Sequence, residues 1–198
     1  MTDWDHDGIP DLTSNTPNGY VEVHIASGSS KYQTRVQEVP TTFVTENDGT
    51  WLMTDWDGDG TPDLVFIKTS NTPNGYVEVH IASGSSKYQT RVQEVPTTFV
   101  TENDGTWLMT DWDGDGTPDL VFIKTSNTPN GYVEVHIASG SSKYQTRVVE
   151  VPTTFVNEDD GTWLMTDWDH DGIPDLVFIK TSNTPNGHVE VHVAAGGK

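Results

Sequence analysis

Cysteine is absent from this chain of 198 residues, which excludes disulfides, thiolate zinc sites and cysteine nucleophiles. Basic residues are scarce, since 10 lysines and arginines stand against 30 acidic residues, for a formal net charge of −20. Nucleic acids and anionic membrane surfaces bind basic faces, so neither is expected as a partner. No apolar run reaches about 18 residues, which excludes a transmembrane helix. No leader is visible, so we expect a cytoplasmic protein or one secreted by a non-classical route.

The chain is built from near-identical repeats. The string TDWD begins four times, at Thr2, Thr54, Thr110 and Thr166. The last two intervals are 56 residues, and the first is 52 because the letters VFIK are missing from the first copy. Residues 51–106 and 107–162 differ at only three positions. This identity indicates that each copy meets nearly the same environment and performs nearly the same task.

Each repeat carries strand signals and no convincing helical periodicity. In the second copy, residues 51–56 form a short mixed strand, and residues 64–67 (LVFI) are continuously apolar, as in a strand covered on both faces. Residues 76–81 alternate between valine or isoleucine and polar side chains. Residues 88–95 are more polar, as suits an outer edge strand. Four strands per repeat, from inner to outer, predict an all-β fold, a β-propeller of four-stranded blades.

The number of repeats predicts an incomplete ring. Counted from the outer strand, the chain divides into a partial blade remnant, residues 1–28, and three blades, residues 29–84, 85–140 and 141–198. About 3.5 blades would leave sheet faces and edges exposed. We therefore expect a homodimer in which two chains, with about seven repeats between them, close one nominally seven-bladed propeller. Two-fold symmetry requires an even blade count, so a six-bladed ring is the competing prediction.

One aspartate-rich motif, D-x-D-x-D-G-x-P-D-L, occurs in every copy. Aspartates at its positions 1, 3 and 5, followed by glycine, converge on one point as in calcium loops of the EF-hand type, with the position 7 carbonyl as a further ligand. Position 12 is Phe66 in the second copy, so this loop leads into a strand. Turn capping is the alternative, but four carboxylates within nine residues would then repel one another without compensation.

Oxygen-only ligation rich in carboxylates favours Ca²⁺ over Zn²⁺. We therefore predict one structural Ca²⁺ in each loop, held by the aspartates at positions 1, 3, 5 and 9 and by the residue at position 7. The predicted metal ligands are Asp3, Asp5, Asp7, Ile9 and Asp11; Asp55, Asp57, Asp59, Thr61 and Asp63; Asp111, Asp113, Asp115, Thr117 and Asp119; and Asp167, Asp169, Asp171, Ile173 and Asp175.

The segment DWDGDGTPDLVFI, followed by GYVEVHIAS, resembles the FG-GAP/VCBS type of integrin-like propeller repeat. It is similar, more closely, to the Psathyrella velutina lectin type of seven-bladed β-propeller. The resemblance covers essentially the whole chain. It implies binding of N-acetylglucosamine or related glycans in pockets between neighbouring blades. Many propellers share the aspartate-rich loop, so this loop indicates the fold better than the function.

A sugar site needs an aromatic face and a few hydrogen-bonding groups in a shallow pocket. The tryptophans before the inner strand could either pack in the core or form the surface on which a sugar ring stacks. The histidines of the third strand could either have a structural role or contact the ligand. The tryptophans inside the aspartate-rich loops are predicted to pack between blades. The predicted sugar-binding residues are Trp51, Trp107, Trp163, His24, His80, His136, His192, Tyr32, Tyr88 and Tyr144.

Near-identical copies favour multivalent binding, in which weak sites multiply in avidity. An enzyme is not expected, because metal binding explains every carboxylate cluster and no residue stands out as an activated nucleophile. Together with the resemblance, these features predict a multivalent lectin that binds N-acetylglucosamine-type glycans and is stabilised by calcium. The alternative is a calcium-stabilised propeller that binds proteins or has only a structural role.

Overall fold

The computed structural model describes residues 14–15, 19–31, 33 and 35–197. These residues form strands, turns and connecting segments, which agrees with the predicted all-β class. Within these ranges there is no helix long and apolar enough to cross a membrane. The chain divides into two compact units, residues 1–101 and 102–198.

The first unit contains two antiparallel sheets. The strands of sheet 1 are β1 (Ser14–Asn15), β2 (Tyr20–Ala26) and β3 (Arg35–Val44). The strands of sheet 2 are β4 (Gly49–Thr54), β5 (Asp63–Lys68), β6 (Tyr76–Ala82) and β7 (Arg91–Val100). In both sheets the order in space is the order along the chain, so consecutive strands pair antiparallel.

The second unit repeats this plan. The strands of sheet 3 are β8 (Gly105–Thr110), β9 (Asp119–Lys124), β10 (Tyr132–Ala138) and β11 (Arg147–Val156). The strands of sheet 4 are β12 (Gly161–Thr166), β13 (Asp175–Lys180) and β14 (Glu190–Ala194). Consecutive strands again pair antiparallel, and among the residues described sheet 4 ends at β14.

Four-stranded sheets in repeated units, none of which closes on itself over the described ranges, make this a partial propeller of about three blades. The sheets divide the chain at other places than the predicted boundaries of residues 29–84, 85–140 and 141–198. Each outer strand completes the sheet of the strand that precedes it, as β7 pairs with β6. The eight-residue connection between β6 and β7 is long enough for the chain to fold back onto its own sheet.

The second strand of each four-stranded sheet, β5 or β9, is buried on both faces, as its apolar run predicted. The register places Trp51, Phe66 and His80 side by side on one face of sheet 2. Side chains alternate across a strand, so Val65 and Ile67 lie on the other face. Complete burial of such a side chain contributes about 1.5–3 kcal/mol to folding.

Within each unit, the valine-rich face of one sheet packs on the aromatic face of the next. In the first unit, Val23 and Ile25 of β2 form one core cluster with Leu64 and Phe66 of β5. The equivalent cluster of the second unit contains Val121, Ile123, Val133, Val135, Ile137, Trp163, Leu176 and Phe178.

Candidate metal centres

Each of the three aspartate-rich loops within the described residues joins the first strand of a sheet to the second. In sheet 2 the loop follows β4 and ends at β5, and its aspartates accept hydrogen bonds from the backbone of the loop itself. Gly60 N donates to Asp55 Oδ2 at 2.9 Å, and Thr61 N donates to Asp59 Oδ1 at 2.7 Å. Gly60 has a φ of 87°, which L side chains rarely adopt, so glycine at this position permits the turn.

Three loops bring three carboxylates close enough to share one cation. In each, one oxygen from every carboxylate lies within 4.8 Å of the others. The aspartates at positions 1 and 3 belong to every cluster, and the third member stands at position 5 or 9. The clusters are Asp55, Asp57 and Asp63; Asp111, Asp113 and Asp115; and Asp167, Asp169 and Asp175. Each of these clusters could hold a metal ion.

Asp55 provides a direct test of whether a cation fits. Its Oδ1 is buried and accepts no hydrogen bond, whereas its Oδ2 accepts one from Gly60 N. A buried carboxylate oxygen without a partner is destabilising, and a bound cation would remove that cost. The donors of this cluster are carboxylate oxygens alone, the ligands that hard cations prefer. The residues therefore fit a hard metal ion.

The aspartate at position 9 also ties the loop to the segment that follows the third strand. Asp63 is wholly buried; its Oδ2 accepts from Trp56 N at 2.9 Å and its Oδ1 from Gly84 N at 2.8 Å. A Cβ at Gly84 would lie 2.2 Å from the Pro62 carbonyl oxygen, so this close approach requires glycine. The same pairs of bonds join Asp119 to Trp112 and Gly140, and Asp175 to Trp168 and Gly196.

Burial, with added repulsion from Asp57 and Asp59, raises the pKa of Asp63 to about 6 despite its two backbone hydrogen bonds. Burial raises the pKa of Asp119 as well. Two carboxylates of the metal loops are therefore harder to ionise in the folded protein than in the unfolded chain. A cation bound beside them would favour the ionised form.

In the metal-free protein, we expect the free energy of unfolding to fall as the pH rises from about 4 to about 6. The folded state retains a proton at Asp63 that the unfolded state, with a carboxyl pKa near 3.8, has already released. The loss attributable to Asp63 should reach about 3 kcal/mol, since one pKa unit corresponds to about 1.4 kcal/mol. Urea denaturation in chelator across this range measures it, and Asp63→Asn should reduce the slope. A slope unchanged in that variant would contradict the assignment.

Asp3, Asp5, Asp7, Ile9 and Asp11 of the first loop lie outside the described residues. The backbone N–H of each position 7 residue donates to the aspartate at position 5, at 2.7 Å for Thr61, 2.8 Å for Thr117 and 2.8 Å for Ile173. These bonds hold the position 7 backbone inside the turn. Asp59, Asp119 and Asp171 lie in their loops but outside the three-carboxylate clusters.

Trp51, Trp107 and Trp163 pack in the core. Each stacks on the phenylalanine of the neighbouring strand, with ring centroids 4.2 to 4.3 Å apart and planes within 20° of parallel. Trp107 and Trp163 are buried, so their free ring surface is small. Of the loop tryptophans, Trp112 packs against the core cluster of the second unit, whereas Trp168 is exposed.

The histidines of the third strands lie beside the same phenylalanines and pair with glutamates on their own strands. His80 Nε2 lies 3.0 Å from Glu78 Oε2, and the ring of His80 is 6.1 Å from that of Phe66. Both His80 and its equivalent His136 are buried. The same pairing occurs at His24 and His192, whose side chains are more exposed. Their contacts fit a structural role in each sheet.

Tyr88 and Tyr144 are wholly buried. The Tyr88 hydroxyl donates to the Pro62 carbonyl at 3.4 Å, and the Tyr144 hydroxyl donates to the Pro118 carbonyl at 3.5 Å. Burial raises the pKa of Tyr88 well above its ordinary value, so the phenol stays protonated. Tyr32 lies outside the described residues. A sugar site therefore needs aromatic residues other than Tyr88 and Tyr144.

A polar groove at the opposite end of sheet 2 from the aspartate-rich loop was missed by the sequence reasoning. It has a volume of about 440 Å³. It is lined by Glu46, Asn47, Asp48, Ser70 and Asn71. The signal that could have indicated this groove is the acidic segment just before β4 together with the Asn-rich turn just after β5. Because β4 and β5 pair antiparallel, the two segments lie side by side.

Asp48 is the central acceptor of this groove. Its Oδ2 accepts from Asn71 Nδ2 at 3.2 Å and pairs with Lys68 Nζ, which also binds Glu46. Burial alone would raise the pKa of Asp48, but Asn71 and Lys68 outweigh it and hold that pKa below its usual value. The Oδ1 is buried and accepts no hydrogen bond. The same unpaired oxygen recurs at Asp104 and Asp160.

Exposed tyrosines lie at this same end of the sheets, at the start of β2, β6 and β10. Tyr20 is 48% exposed, Tyr76 is 43% exposed and Tyr132 is 42% exposed. The sequence reasoning saw these residues only as strand positions, because alternation does not tell which ring a neighbouring sheet covers. Each of these three tyrosines presents an aromatic surface to solvent, whereas the described tryptophans and tyrosines that were predicted to bind sugar pack in the core.

Comparison with known families gives a match over most of the chain. The FG-GAP-like repeat matches three times, at residues 3–66, 55–122 and 111–178. A search of curated proteins gives no significant match. Successive matches overlap at one aspartate-rich loop, and the repeated four-stranded sheets accord with them. The chain therefore belongs to the FG-GAP-like repeat family.

Proposed function

We propose that this chain is a calcium-stabilised, multivalent lectin that binds N-acetylglucosamine-type glycans. Calcium is supported by the three aspartate clusters, by the unpaired buried oxygen of Asp55 and by the oxygen-only donor set of that loop. The ligands would be the clustered aspartates of each loop. A bound ion would neutralise repelling carboxylates and hold the loop against the adjoining strands, a structural task without a catalytic step.

The observation that carries the sugar proposal is an exposed tyrosine at the same end of a blade as a cluster of aspartate, asparagine and lysine, which occurs in sheets 2 and 3. In sheet 2, Tyr76 supplies the aromatic surface, and Asp48, Ser70 and Asn71 supply acceptors and donors for hydroxyl and amide groups. The similarity to the Psathyrella velutina lectin type adds support for glycans of the N-acetylglucosamine class. Repetition of this arrangement in successive copies favours avidity over strong single sites.

Calorimetric titration with N-acetylglucosamine in calcium buffer tests this proposal. We expect saturable heat with several weak sites per chain. The triple variant Tyr20→Ala, Tyr76→Ala, Tyr132→Ala should bind about tenfold more weakly, because the ring contacts are lost. The matched triple phenylalanine variant retains the rings and should bind nearly as well as the parent protein.

No heat at millimolar sugar would overturn the lectin proposal and favour the alternative, a calcium-stabilised propeller that binds proteins or has only a structural role. Equal heat from the parent protein and the triple alanine variant would retain the function but contradict the site. The proposed partners are thus glycans, with neither nucleic acid nor membrane insertion expected.

A further inference from the structure

The connection between β6 and β7 forms a compact turn that carries a wholly buried tyrosine, Tyr88. We call residues 83–90 the tyrosine arm. Tyr88 N donates to the Ser83 carbonyl at 2.9 Å, and Ser83 N donates to the Thr90 carbonyl at 2.9 Å. Lys87 and Tyr88 have φ values of 55° and 60°, which are unfavourable for residues other than glycine. Contacts outside the arm must therefore hold it in this conformation.

One side of the tyrosine arm is bonded to the aspartate-rich loop of sheet 2. Gly84 N donates to Asp63 Oδ1 at 2.8 Å, and the Tyr88 hydroxyl donates to the Pro62 carbonyl at 3.4 Å. Asp63 belongs to the carboxylate cluster of that loop, and Pro62 directly precedes it. Both bonds thus depend on the order of the segment that would hold the ion.

The other side of the arm is bonded to the outer strand of the preceding sheet, β3. Thr42 N donates to the Tyr88 carbonyl at 3.2 Å, and Gln89 Nε2 donates to the Pro40 carbonyl at 2.6 Å. Arg91, the first residue of β7, donates to the Thr42 carbonyl at 3.0 Å. The arm therefore joins the metal loop of one sheet to the edge strand of another.

The ring of Tyr88 completes this joint. It lies in one core cluster with Val23 and Ile25 of sheet 1 and with Leu64 and Ala82 of sheet 2. If the arm moved away, the apolar side chains of both sheets would lose a large partner and become accessible to water. The position of the arm thus decides how well the core between the two sheets is closed.

The second unit repeats the bonds between arm and metal loop. Gly140 N donates to Asp119 Oδ1 at 2.8 Å, and the Tyr144 hydroxyl donates to the Pro118 carbonyl at 3.5 Å. In both units a serine side chain of the arm also bonds the aspartate at position 5 of the loop, Ser85 with Asp59 and Ser141 with Asp115. The link between arm and loop is therefore a property of the repeat.

We propose that calcium bound in the loop of sheet 2 controls the docking of the tyrosine arm on sheet 1. This inference rests on the calcium sites of the proposed function and gives them a further task. Without the ion, the clustered carboxylates repel one another, and the loop that binds Gly84 and the Tyr88 hydroxyl loosens. The arm then loses contacts that offset its backbone strain, and it leaves sheet 1 more often. Calcium thereby strengthens the joint between two sheets as well as the loop within one sheet.

A single thiol measures this docking, because the chain has no cysteine of its own. Val23 is wholly buried in the cluster that contains Tyr88, so a reagent reaches the thiol of Val23→Cys only when the joint opens. Labelling should be at least about tenfold faster in excess chelator than in calcium. Ala82→Cys, in the same cluster, is a second reporter and should respond in the same way.

An equivalent thiol separates opening of the joint from unfolding of the unit. Val79 occupies in β6 the place of Val23 in β2, and it is wholly buried but outside that cluster. In calcium, Asp57→Ala removes one carboxylate of the sheet 2 cluster. It should speed labelling of Val23→Cys at least about tenfold and leave that of Val79→Cys nearly unchanged. Equal acceleration of both thiols would show that the whole unit opens, and it would overturn the proposal.

Two neutral substitutions in the arm locate the contact with sheet 1. Gln89→Ala removes the bond to the Pro40 carbonyl, whereas the exposed Thr90 takes part in the arm through its backbone. In calcium, Gln89→Ala should speed labelling of Val23→Cys about threefold or more, and Thr90→Ala should leave it unchanged. Equal rates in these two variants would contradict the assigned docking contact.

Calorimetric titration of the Val23→Cys protein with calcium distinguishes the two possible failures. If calcium binds but labelling is equally fast in calcium and in chelator, the control of docking is refuted while the calcium sites stand. If no calcium binds, the calcium sites of the proposed function are contradicted, and the control of docking is refuted with them.

Discussion

Removal of calcium should lower the melting temperature of this protein by at least about 10 °C. A ligand at a hundred times its Kd stabilises the folded state by about 2.7 kcal/mol per site, and about 1 kcal/mol moves the melting temperature of a unit this size by about 4 to 8 °C. Three described loops carry a cluster. Calorimetric scans in calcium and in excess chelator measure the difference.

Magnesium provides the control for this experiment. It prefers a smaller, near-octahedral arrangement and gives up its water less readily, so it should restore less of the lost stability than calcium. Scans that coincide in calcium, magnesium and chelator would show that the aspartate clusters only cap turns. That result would contradict the proposed calcium sites but would not affect the assignment of the fold or of the family.

The substitution Asp63→Ala should destabilise the protein by about 3 kcal/mol even without metal, because the backbone N–H groups of Trp56 and Gly84 lose their acceptor. Both groups donate to Asp63, which is wholly buried. The loss should appear as a lower urea midpoint with an unchanged slope. It should be larger in calcium, since a candidate ligand is removed as well.

Asp57→Ala is the matched variant, since Asp57 belongs to the same cluster but is exposed. Without metal this change should leave stability nearly unchanged or raise it slightly, because Asp57 repels the buried Asp63. In calcium it should lower stability through loss of a ligand. If both variants lost the same stability in chelator, the structural role assigned to Asp63 would be contradicted.

The strand pattern was predictable because its signals are local. The apolar run at residues 64–67 indicated a strand covered on both faces, and β5 is buried in this way. The division into blades was not predictable from the same pattern. Four strands in a repeating chain can be grouped from any starting strand, and only the pairing of β7 with β6 decides where one sheet ends.

The same difference between local and non-local signals applies to the candidate metal and sugar sites. The metal loops were predictable because their ligands lie within nine consecutive residues. The sugar candidates depended on which rings a neighbouring sheet covers, and this information is not local. Tyr88 enters the core after a turn in which it has a φ of 60°, while Tyr76 stays exposed at the start of its strand. Both are tyrosines next to a β-strand, and the sequence does not distinguish them.

The outer strands all pair in the same register. The equivalent pairs are Tyr20 with Val44, Tyr76 with Val100 and Tyr132 with Val156. A recombination event that inserts or deletes one 56-residue segment would leave every remaining strand with a partner of almost the same sequence. Gene duplication can thus change the length of such a protein in whole blades without any new packing, so blade number can evolve faster than the blade itself.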